Sequence, residues 1–185
     1  MGWRRFVDWI DWLHPAAWAH EHNHLHHYNT GQQDDPDLVE RNAWFIRDKR
    51  MPRVLKWLSV IFVMMTWKLT YYAPNTFWAL KQHQKIKAQT PEQAKEQPLP
   101  TMGNVSRYII PGERVIFPVT RWGLEFYLRC VLPYALVRFA LIPALFLPLG
   151  IWAWSAVLIN TILAEIVANV ISFVIIAPNH TGDDV

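Results

Sequence analysis

Four histidines fall within six residues, His22-Asn23-His24-Leu25-His26-His27, and that density points to a metal. A neutral imidazole nitrogen binds first-row metals at neutral pH. A lone histidine is easily explained by packing; a cluster is not. If residues 15–28 form a helix, His22 and His26 lie on one face, with His27 about 100° further round. Three rings then converge from roughly a turn and a half of chain. His20, His24 and His27 make a competing stripe on the same helix, and spacing leaves both ligand sets open.

The surrounding residues add a resemblance. The run Glu21-His22-Asn23-His24-Leu25-His26-His27-Tyr28-Asn29-Thr30-Gly31, followed by Asp35-Pro36-Asp37-Leu38-Val39-Glu40-Arg41-Asn42, resembles the second histidine box of membrane fatty acid desaturases. Asn179-His180-Thr181-Gly182-Asp183-Asp184 resembles the segment that leads towards their third box. The resemblance implies that His22, His26, His27 and His180 ligate iron, with His20 and His24 outside the set. It also implies a di-iron enzyme that uses dioxygen to introduce a double bond into a fatty acyl chain. Electrons would come from a cytochrome b5- or ferredoxin-type donor. Hydroxylases of fatty acids, alkanes or sterols use similar boxes, and a non-catalytic membrane metal-binding protein is the alternative from another class. The family's first box and final His-His pair have no counterpart here. The expectation is therefore a central portion of such an enzyme, inactive by itself.

The elements that must position these residues are those of a membrane protein. With 52% hydrophobic residues, 11 Trp and only 18% charged residues, the chain is too apolar for an ordinary small soluble domain. The single cysteine, Cys130, excludes an internal disulfide and a cysteine-rich zinc module, and its apolar surroundings suit a packed thiol. The opening residues are interrupted by Asp8 and Asp11 and lack the apolar core of a signal peptide. The resemblance implies a fatty acyl substrate and a redox protein as partners, beside membrane lipid and with no nucleic acid.

The expected fold is all-α: an integral membrane helical bundle fragment with one transmembrane hairpin plus cytoplasmic and interfacial helices. Residues 1–123 form the part that carries the second box, and residues 124–185 form the hairpin and the start of the C-terminal metal segment. Residues 3–13 suit an interfacial helix. Asp35-Pro36 gives a cap and a proline opening for a helix that ends before Pro52. Asp34, Asp35, Asp37 and Glu40 are candidates to orient the ring N–H groups. Residues 55–80 contain Lys56, Lys68, Pro74 and Asn75, which favours an interfacial position over a span. Residues 81–103 read as a polar connection with His83 exposed, and 108–119 as a loop.

Residues 131–149 and 151–177 are the two spans, joined at Pro148-Leu149-Gly150. Nearly every Lys and Arg lies before Leu124, which puts both ends of the hairpin on the cytoplasmic side. A site shared by His22 and His180 needs an even number of crossings between them, as two spans provide. Within the spans, Glu165, Asn169 and Asn160 should face the bundle interior, either lining a substrate tunnel and tuning the metal or bonding helix to helix. Asn179 adjoins His180 and joins the tunnel candidates. Arg138 calls for snorkelling or a partner such as Glu165.

Overall fold

The computed structural model describes residues 11–30, 32, 35–37, 51–88 and 118–179. These are mainly helical, with no strand among the described residues. The order is α1 (Pro15–Trp18), a π-helical stretch (Ala19–His26), α2 (His27–Asn29), α3 (Arg53–Met65), a second π stretch (Lys68–Tyr72) and α4 (Ala73–Lys87). Two long helices follow, α5 (Arg121–Leu149) and α6 (Ile151–Asn179).

Both long helices are apolar enough to cross a membrane. Each has 29 residues, a length of about 43 Å against the roughly 30 Å hydrocarbon core. Their outer surfaces suit lipid rather than water: Leu128, Leu132 and Leu136 on α5, and Ile159, Leu163, Val167 and Ile171 on α6, are exposed. Gly150 joins them at φ 99°, a left-handed conformation that glycine adopts without a Cβ clash. α5 begins at Arg121, earlier than the 131 expected, because Thr120 caps it by accepting from the Gly123 N–H at 2.9 Å.

Three of the π stretches have a visible cause. Pro74, Pro133 and Pro143 each closely follow one of them, at Lys68–Tyr72, Tyr127–Val131 and Leu136–Leu141. Proline removes a ladder N–H and its ring meets the carbonyl four residues back, and a wider turn relieves both. The stretch Ala19–His26 has no such proline after it. Wide turns of this kind recur at functional sites.

α4 is the platform for the histidine-bearing segment. Its residues from Ala73 to Ala79 are buried, and it packs against both α1 and the first π stretch. Phe77 meets Phe126 of α5, while Lys81 and Arg129 share Glu125 at 2.5 and 3.2 Å. Residues 81–87 therefore continue the helix rather than forming a polar connection. α3 has no buried residue, exposes Trp57, Leu58, Ile61 and Phe62, and lies against α6. It meets the Lys68–Lys87 helix at 93°, and the pair has the length of a span only if the two count as one.

One polar network ties the bundle together. Glu165 accepts from Trp12 Nε1 at 2.7 Å and from the Tyr134 hydroxyl at 2.5 Å. Asn169 Nδ2 donates to the Glu165 carbonyl at 2.8 Å, and Asn169 Oδ1 accepts the Lys68 backbone N–H at 2.7 Å. That N–H opens a helix and lacks a partner within it, so the asparagine satisfies an orphaned donor. The N-terminal segment, the α3–α4 junction, α5 and α6 thus meet at one carboxylate. Arg138 is not its partner: no ion pair joins them among the described residues, and the buried Arg138 Nε makes no hydrogen bond. Cys130 is fully buried in the adjoining core. Residues 11–13 are bent, not helical, and the rest of the interfacial helix expected at 3–13 lies outside the described residues.

Candidate metal centre

The helix expected over residues 15–28 forms, but with an i→i+5 ladder through the histidines. That wider register brings residues four and five positions on towards the face of the first. His22 accordingly lies 5.3 Å from His26 and 4.6 Å from His27, ring centre to ring centre. Two side chains close the far end of the helix: Asn29 Nδ2 donates to the Leu25 carbonyl at 2.7 Å, and the Thr30 hydroxyl to the His26 carbonyl at 2.8 Å.

The ligand atoms that lie within 4.8 Å of one another belong to His22, His26 and Asp37. His26 is buried and its Nδ1 lies 2.8 Å from Asp35 Oδ1. A carboxylate there accepts the Nδ1–H, which leaves the Nε2 lone pair for a metal. Asp35 Oδ1 also accepts the Asp37 backbone N–H at 2.8 Å, and the Tyr72 hydroxyl donates to Asp37 Oδ2 at 2.8 Å. Burial first, then the charges of Asp37 and Glu21, keep the Tyr72 phenol protonated far above its ordinary range. His22 is held by stacking on Trp18, 4.2 Å away. Burial, followed by the neighbouring His26 and His27, lowers its pKa, which keeps the ring neutral and able to ligate.

Glu21 is the most unusual group of the site. Its residue is completely buried, and no N–H or O–H donor among the described residues reaches either carboxylate oxygen. Burial first, then the neighbouring carboxylates of Asp37 and Asp35, raise its pKa well above the carboxylate range. Two buried carboxyls side by side need a shared proton or a cation between them. Together with two neutral imidazoles, that is the donor chemistry of a divalent metal.

The sequence-based candidates are thus only partly assembled. His22 and His26 come together; His27 adjoins them with its residue exposed. His180, Asp34 and Glu40 lie outside the described residues, as does the helix expected up to Pro52 apart from residues 35–37, which form a turn, and residue 51, a bend. Asn179 is exposed at the end of α6. Asp37 stands with the ligand atoms rather than only orienting them, and Asp35 takes the orienting position. Glu21 and Tyr72 were not picked out by spacing. The signal for Glu21 was present, since it directly precedes His22 in a short helix whose other acidic neighbours lie beyond it. His83, expected to be exposed and isolated, is half-buried against His20.

Comparison with protein-family models, with curated proteins and with solved structures finds no match.

Proposed function

We propose that this chain is a membrane oxidoreductase of the fatty acid desaturase type, acting on a fatty acyl chain at an iron centre held by the histidine-bearing segment. The observation that carries the reading is the convergence of His22, His26 and Asp37 beside the unsatisfied, buried carboxylate of Glu21. Two imidazoles and one carboxylate suit non-haem iron and leave coordination positions open. Bound iron supplies the oxidising power that an unactivated C–H bond demands and that acid–base groups lack.

The protein's own residues perform the positioning. His22 and His26 offer neutral nitrogens, Asp37 a carboxylate oxygen fixed by Tyr72, and Asp35 the acceptor that sets the His26 tautomer. The di-iron form implied by the resemblance draws in addition on His27 and His180, and the buried Glu21 carboxyl lies beside Asp37. Trp18 and Tyr72 shield one side of the site from water, which strengthens every charge interaction within it.

The two apolar helices cross the bilayer as a hairpin, with residues 1–121 and 180–185 on the cytoplasmic side and Pro148-Leu149-Gly150 opposite. α3 lies in the interface with its exposed apolar face in lipid. Acyl chains reach the site from that layer, and the basic surplus of the chain, +3 overall, favours an acidic cytochrome b5- or ferredoxin-type donor.

Product analysis tests the proposal. Membranes containing an iron-loaded form of the protein that also carries the first box and the final His-His pair, with a reductant system and dioxygen, are expected to yield an unsaturated acyl product that the His26→Ala variant does not form. A hydroxylated product would assign the chain to the hydroxylases, and no oxidised acyl product from iron-loaded protein would overturn the enzymatic reading.

A further inference from the structure

About half a turn round the π stretch from His22 and His26, a second group of imidazoles gathers where that stretch lies on α4. The His20 ring packs against His83 of α4, tilted by 35° with centroids 4.2 Å apart, and His24 lies 6.4 Å from His20. None of the three rings has a hydrogen-bond or ion-pair partner among the described residues. His24 is exposed and the other two are half-buried, so the group is open to solvent.

Neutral imidazole rings offer nitrogen lone pairs to a first-row metal. Lys87, one turn beyond His83 on α4, is exposed, and its long stem lets the ammonium move away from an incoming cation.

We propose that His20, His24 and His83 form a second metal site, distinct from the one at His22, His26 and Asp37, for a divalent ion of the zinc class. Three imidazoles without a carboxylate favour Zn²⁺, Ni²⁺ or Cu²⁺ over Mg²⁺ or Ca²⁺. Rotation about the side-chain bonds turns the tilted His20 and His83 rings edge-on to a common ion, and water fills the remaining position. Two of the donors sit on the π stretch and one on α4, so the ion staples the element that carries His22 and His26 to its platform.

Zinc stoichiometry of the full chain in lipid nanodiscs decides this. Chelator-stripped protein is equilibrated with Zn²⁺ near one equivalent per site, desalted and measured by mass spectrometry of the metal. His83→Gln and His24→Gln are each expected to lose one zinc relative to the unsubstituted chain. The double variant His22→Ala/His26→Ala should keep one zinc, together with a zinc-dependent rise in Tm that adding His83→Gln abolishes. His24 is exposed, so its replacement leaves the fold intact and guards against loss of zinc by unfolding. An unchanged zinc count in both His83→Gln and His24→Gln would overturn the proposal, as would loss of all zinc from a folded His22→Ala/His26→Ala protein.

Discussion

His26 Nδ1 lies 2.8 Å from Asp35 Oδ1, with both side chains buried, and this contact fixes which nitrogen of the ring faces the candidate metal. Removal of such an orienting carboxylate typically weakens a metal site by roughly 10–100-fold. Asp35→Ala is expected to reduce iron affinity by about that factor, measured by competition with a chelator. Asp35→Asn keeps an acceptor oxygen and should lose much less. Equal affinity in Asp35→Ala and the unsubstituted chain would show that the contact does not orient a ligand.

The ligand set itself is open to substitution. His22→Ala, His26→Ala and Asp37→Ala should each abolish tight iron binding, because a missing donor leaves the coordination geometry unsupported. His24→Ala should leave that iron in place. Iron retained in Asp37→Ala and lost in His24→Ala, by metal analysis of folded protein, would reverse the assignment.

Glu165 is expected to matter for the bundle more than for any chemistry. Replacing it by Ala strands the Trp12 N–H and the Tyr134 hydroxyl, two donors that now share one carboxylate. The expected loss is about 3 kcal/mol, with Glu165→Gln, which retains an acceptor, losing about 1 kcal/mol. Thermal unfolding in detergent measures both, and a Glu165→Ala Tm equal to that of the parent would refute the bonding role.

Topology is tested by labelling. In a Cys130→Ala background, cysteines placed at Gln89 and at Asp184 should react with a membrane-impermeant reagent from the same side, and one at Leu149 from the other. Labels at Gln89 and Asp184 on opposite faces would defeat the hairpin and, with it, a site shared by His22 and His180.

What could be read from the chain was local. The density and spacing of His22, His26 and His27 pointed to a metal, and the two long apolar runs pointed to helices long enough to span a membrane, because both signals are complete within a few turns of helix. The helix over the histidines followed in the same way, although its i→i+5 register did not, since no proline marks it.

What the tertiary structure decided depends on segments that only packing brings together. Asp37 joined the ligand atoms and Asp35 took the orienting role because the chain folds back over His26 after Asn29. His83 came against His20 because α4 continues through residues read as a polar connection. Trp12 reached Glu165 across nearly the whole length of the chain. The sequence alone determined which side chains can ligate, span or pair. Their partners were settled by burial, since a buried carboxylate or N–H must find a counterpart wherever the fold supplies one, and no spacing rule along the chain records where that is.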